Sequence, residues 1–139
     1  MSLFMVGGAA HAQRDLESYP VFQGKVVPGK EMVVSEANGF VLSDYKLSYY
    51  RSVSFTVGPD TFSKVAAMVE IDAVNAPFKE TEKVGGMLTY ALVQPKSAGK
   101  KNRYLCYQAR KEEDKWKVTL MYLEGSATLD ELRKMFDNQ

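Results

Sequence analysis

The sequence predicts an α+β domain of two layers, with helices packed on one face of a mostly antiparallel sheet in the order α-β-β-α-β-β-β-α. Three observations carry this reading. In residues 45–57 the odd positions read Tyr45, Leu47, Tyr49, Arg51, Val53, Phe55 and Val57, with Lys46, Ser48, Tyr50, Ser52, Ser54 and Thr56 between them. That is the period of a half-buried strand, with Arg51 alone interrupting the apolar face. Residues 61–76 place Phe62, Val65, Ala66, Val69, Ala73 and Ala76 on one helical face. Finally, three alternating runs at 86–94, 103–109 and 115–123 follow one another with no helix between them. Hairpins, not β-α-β crossovers, join strands spaced this way.

The remaining elements follow in chain order. Residues 14–24 read as a short helical entry: Pro20 is tolerated in a first turn, Gly24 can close the end, and Leu16, Tyr19 and Phe22 form a small apolar stripe. Pro28-Gly29 marks a turn. Residues 31–37 form a short strand with Met32 and Val34 on one side and Val33 on the other, closed by the turn pair Asn38-Gly39. The alternating run 45–57 is longer than the usual strand of about 5–6 residues, so a bend or bulge is expected near Tyr50 and Arg51. Gly58-Pro59 ends it, with Asp60 as helix N-cap. Pro77 stops the helix, and 78–84 reads as a polar connection. Residues 86–94 group Leu88, Tyr90 and Leu92, and 115–123 group Trp116, Val118, Leu120 and Tyr122. Thr128 and Glu131 make a capping box for a last helix with Leu129, Leu132 and Phe136 on its apolar face.

Residues 1–12 read as the remainder of a signal peptide, and 13–139 as a single domain. The apolar run 3–10, LFMVGGAA, leads into Ala10-His11-Ala12, which offers small residues at the −3 and −1 positions of a cleavage site before Gln13. No Lys or Arg precedes Arg14, so Met1 is expected to lie within the hydrophobic region, with the true start upstream. The run is too short to span a bilayer, which takes about 20 apolar residues. The expected product is exported to the periplasm or the cell exterior and soluble after cleavage following Ala12.

Composition removes several chemistries. The 18 basic and 17 acidic residues nearly balance, which gives no footprint for a nucleic-acid partner. Cys106 is the one cysteine, so no internal disulfide can form, and on a central strand it reads as a small buried hydrophobe. The one histidine, His11, falls in the leader, which leaves the mature chain without imidazole for a triad or a metal site. No metal and no cofactor is expected.

Candidate sites are correspondingly few. Arg51 on an apolar face must find a carboxylate, reach water or grip an anionic ligand. The expectation is that a bulge turns it outward, or that Tyr50 takes its inward place. Tyr45, Tyr49, Tyr50 and Trp116 could line a glycan or peptide groove, although aromatics are equally at home as plain sheet and core residues. Met68 and Ile71 fall opposite the apolar face of the main helix, either covered by the N-terminal segment, the favoured reading, or offered to a partner. Lys96, Lys100, Lys101 and Arg103 at one hairpin end, and Glu112, Glu113 and Asp114 at the other, read as solvated tips. Glu36, Asp44, Glu70 and Asp72 are the acids that a hydrolase or lyase acting on envelope glycan or peptide would have to use.

The tail GGAAHAQ, together with Gly39, Leu42, Tyr45, Leu47, Ser48, Tyr50, Arg51 and Ser52 in the pattern G-x-x-L-x-x-Y-x-L-S-x-Y-R-S, resembles a family of small uncharacterised exported proteins of Bacteroidetes. The resemblance implies export and a single domain, and it brings no activity with it. The preferred reading is a non-enzymatic envelope module that binds another envelope protein or a glycan or peptide ligand.

Overall fold

The computed structural model describes residues 13–137. Residues 1–12, on which the leader falls, lie outside the described residues.

The expected two-layer α+β domain with five strands is overturned. The molecule is dominated by one six-stranded antiparallel sheet in the order β1-β2-β6-β5-β4-β3. Its elements are α1 (Tyr19–Phe22), β1 (Val33–Asn38), β2 (Leu47–Val57), α2 (Pro59–Val74), β3 (Phe78–Val84), β4 (Met87–Gln94), β5 (Asn102–Glu112), β6 (Lys115–Gly125) and α3 (Leu129–Asp137). A 3-10 turn at Gly29–Glu31 precedes β1, and a 3-10 arm at Gly39–Tyr45 joins β1 to β2.

The added strand is β3, where the sequence reads as a polar connection. Its FKETEKV run has no continuous apolar face, because an edge strand needs only backbone pairing to one neighbour. A two-residue loop turns it into β4. Gly85 and Gly86 both hold positive φ, at 59° and 81°, as a type I′ hairpin requires.

The layering differs as well. On one face α2, with Phe62, Val65, Ala66, Val69 and Ala73, and the N-terminal segment, with Leu16, Val21, Phe22 and Val27, cover Val53, Phe55, Leu105, Tyr107, Val118, Leu120 and Tyr122. On the opposite face Leu132 of α3 and Ala127 pack on Leu47, Leu92, Tyr104 and Leu123. Helices therefore lie on both sides of the sheet. The apolar residues of β4, β5 and β6 that fall off the main alternation supply this second face.

Two bulges set which residue faces where. In β2 the register slips between Leu47 and Tyr49, so Leu47 joins the α3 face while Tyr49 packs toward the α2 face. The expected bend near Arg51 thus occurs earlier, at Ser48. In β4 the partner register passes from Leu88 to Tyr90, which puts Leu88 in the α2 core and leaves Leu92 and Tyr90 on the α3 side. The expected grouping of Leu88 with Tyr90 and Leu92 fails for that reason.

The start of α3 is fastened by side chains. Thr128 and Glu131 form the capping box: Thr128 N–H donates to Glu131 Oε1 at 2.9 Å and Glu131 N–H to Thr128 Oγ1 at 3.2 Å. Helix α2 is entered from Gly58 with Pro59 in its first turn, so Asp60 lies inside the helix and not at its cap. No helix among the described residues is long and apolar enough to cross a membrane.

Candidate functional site

The residues singled out by sequence do not converge. Trp116 lies in the core at the end of β6, its ring stacked on Phe62 with centroids 4.0 Å apart and planes 4° from parallel. It packs α2 to the sheet. Tyr50 packs against the α3-side core, and Tyr45 stands exposed on the 3-10 arm. Of the other tyrosines, Tyr104, Tyr107 and Tyr122 are fully buried and donate to Ala127 O, Leu88 O and Glu124 Oε2. Met68 is half-buried against the core, whereas Ile71 remains 45% exposed.

Arg51 does not turn outward. It keeps the α2 face, and its guanidinium donates Nη1–H to Glu36 Oε2 at 3.1 Å and Nη2–H to the carbonyl of Phe22 at 3.2 Å. Tyr49 O–H donates to the same Glu36 oxygen at 2.7 Å. The expected bulge occurs at Ser48, two residues before Tyr50, so Arg51 stays in phase with Val53 and Phe55. Burial, then the neighbouring Glu36 carboxylate, raises the Tyr49 phenol well above its ordinary range, which keeps it a neutral donor. The three side chains clasp β1 to β2 and to the N-terminal segment.

Nor do the four candidate acids share a cleft with one another. Glu36 is held by Arg51 and Tyr49, and Glu70 pairs with Lys83 at 2.8 Å. Buried Asp72 accepts the N–H groups of Glu17 and Ser18 at 2.6 and 3.1 Å, docking the N-terminal segment on α2. Its burial raises the carboxyl pKa despite those bonds. Asp44 is exposed on the 3-10 arm. Arg103, expected on a solvated loop, is 3% exposed and grips Asp15 with two bonds of 2.9 and 3.0 Å while its Nε–H donates to Lys96 O. Burial opposes its charge, but the Asp15 bonds together with the neighbouring Tyr122 outweigh that, and its pKa is raised. Cys106 is half-buried against the α3-side core, and burial pushes its thiol up to about 12.

Two surfaces remain. The part of the α3 face that the helix leaves open forms a groove of about 440 Å³ lined by Glu82, Thr89, Tyr90, Gln108, Arg110, Lys117 and Thr119. Its lining is polar, and Tyr90 is its aromatic wall.

The other surface is the β1 edge. Five of the nine large apolar residues exposed among the described residues fall between positions 33 and 45. Val33 and Val34 are 74% and 43% exposed on opposite faces of β1, and Phe40, Val41 and Tyr45 are 91%, 69% and 54% exposed on the arm that follows. β1 pairs with β2 alone, so its outer backbone groups meet no strand among the described residues. The arm is fastened at its far end. Lys46 takes a left-handed φ of 59°, its carbonyl accepts from Ala127 N–H at 2.9 Å, and its ammonium pairs with Glu131. Sequence alternation marks Val33 and Val34 as strand residues, but only the sheet order reveals that the strand is an edge.

Comparison with known proteins is sparse: no curated protein and no solved structure matches the chain. One family model does match, over residues 5–136, and by it the chain belongs to a family of unknown function, DUF6108.

Proposed function

We propose that this protein is an exported, non-enzymatic interaction module of the cell envelope whose working surface is the β1 edge and the arm Gly39–Tyr45. The observation that carries the reading is the concentration of exposed Val33, Val34, Phe40, Val41 and Tyr45 on an unguarded sheet edge. An open edge offers main-chain hydrogen bonds to an added strand, and flanking apolar side chains give that strand something to bury against. Contiguous exposed apolar surface of this kind marks a contact site. Export is supported by the run LFMVGGAA ahead of Ala10-His11-Ala12.

The partner is an extended, apolar segment of a different polypeptide. In antiparallel two-fold self-pairing about Ser35, Val33 of one copy would meet Ala37 of the other and Val34 would meet Glu36; about Glu36, Val34 would meet Asn38 and Val33 would meet Gly39. The apolar ends would not meet, and about Glu36 like charges would face each other.

Site-specific photo-crosslinking in the native host tests this, with the reactive group placed at Val33 on β1 or at exposed Thr81 on β3. The expected result is a discrete adduct with one other polypeptide from position 33, none from position 81, and loss of the adduct with Phe40→Asp. Equal adducts from both edges, none from β1, or an adduct of two copies of this chain would remove the proposal.

A further inference from the structure

The segment that enters the fold ahead of α1 is fixed by two independent anchors. Asp72 accepts two of its backbone N–H groups, at Glu17 and Ser18, and Arg103 holds the carboxylate of Asp15 with a two-pronged bond. Gln13 lies just before these anchors, its carbonyl accepting from Leu16 N–H at 3.0 Å, and it is only 2% exposed. Its side-chain Nε2 finds no hydrogen-bond partner. A primary amide buried with its donor unsatisfied is disfavoured, and native interiors rarely keep one. Gln13 is also the residue that would follow the cleavage site after Ala12.

We infer that Gln13 becomes the N-terminal residue of the exported chain and closes on itself to a pyroglutamyl lactam. This rests on the export reading given above. The freed α-amine has an ordinary pKa near 8, so its nucleophilic base form is present at neutral pH. Its nitrogen attacks the side-chain Cδ, the new N–Cδ bond completes a five-membered ring, and the Cδ–Nε2 bond breaks. The proton lost by the amine leaves with Nε2 as ammonia. Nothing is oxidised or reduced.

The reaction removes two liabilities at once. The group expelled is the orphaned Nε2, and the α-ammonium that cleavage would otherwise leave on a buried residue becomes a neutral amide. The side-chain carbonyl is retained as the lactam carbonyl.

The test is mass spectrometry of the full-length gene product made in its native host. The intact denatured protein is labelled on free amines before digestion. The expected N-terminal peptide begins at position 13, carries no label and is lighter by about 17 Da, the mass of ammonia. Gln13→Glu, whose carboxylate is a poor acceptor for the amine, is expected to keep a free, labelled N-terminus. A labelled, uncyclised Gln13 in the natural protein would overturn the lactam while leaving export intact. A chain that begins elsewhere, or that retains residues 1–12, would overturn export and the lactam together.

Discussion

The two edges of this sheet are built on opposite rules. Along β3, the run Lys79, Glu80, Thr81, Glu82, Lys83 presents charge on both faces, and two ion pairs tie it down: Lys83 to Glu70 of α2 at 2.8 Å, and Arg133 of α3 to Glu80 at 2.7 Å. The Arg133 guanidinium also lies 6.0 Å from the Phe78 ring. Charged side chains of this kind keep a second strand from pairing along an edge. Along β1, by contrast, the only charge is Glu36, already engaged by Arg51 and Tyr49, and Val33 and Val34 stand exposed beside it. An edge defended on one side and left apolar on the other is the pattern of a sheet that accepts a strand at one place only. The segment between α2 and β4, which the sequence reads as a polar connection, is thus a charged edge strand.

The largest expected effect that separates the two edges comes from Gly125. A Cβ there would run into the carbonyl of Lys46 and lie 2.6 Å from the Cα of Leu47, both backbone atoms at the point where the arm enters β2. Backbone cannot yield as a side-chain tip can. Gly125→Ala is expected to cost about 1–3 kcal/mol, as overpacking does. Urea unfolding would measure the loss. Hydrogen exchange should place the disturbance in the arm, β1 and the start of β2, with β3 and β4 unaffected. Uniform loss of protection across the sheet would mean that the two edges are not mechanically separate.

Arg51→Ala is the next step down. It leaves Glu36 without its cation and the carbonyl of Phe22 without that donor, at a site that is only partly buried. Solvent screening lowers what such a pair is worth, and a loss of about 1 kcal/mol is expected. β1 amides should exchange faster, again without change at β3. Unchanged exchange in β1 would show that the clasp does not hold the edge.

How much of this was legible in the sequence depends on which force decided each element. Where burial decided, the pattern spoke clearly: α2, β2, β6 and the Thr128–Glu131 capping box stand where their apolar periods and cap residues put them. Where pairing alone decided, it was silent. β3 carries little apolar signal, and the Gly85-Gly86 turn was its one local mark. Side-chain direction failed at the bulges, because one extra residue at Ser48 or beside Thr89 reverses a face without any compositional trace. Arg51 stands out in the alternation, but its partner Glu36 lies 15 positions away and becomes its neighbour only through the β1–β2 register. The exposed edge was invisible for the same reason, since a strand's place in a sheet is a property of all the other strands.

The smallest effect tests whether α3 serves both edges. One residue of this helix, Arg133, reaches β3, while another, Glu131, reaches Lys46 at the base of the β1 arm. The Lys46 ammonium, then the Thr128 backbone N–H, holds the Glu131 carboxyl at about 2 against an ordinary 4.5. Because the folded-state pKa is depressed, the contribution is complete above pH 4.5 and is lost as pH falls through about 2. Both groups are solvent-exposed, so the change in global stability should be slight and salt-sensitive. The informative readout is local. A side-chain NMR titration of Glu131 should give a midpoint near 2 in the natural chain, moving toward 4.5 in Lys46→Ala. In the same variant, exchange should quicken in the Gly39–Tyr45 arm and not in β3. A midpoint that Lys46→Ala leaves in place would assign the shift to the capping box alone and cut α3 out of the control of the β1 edge.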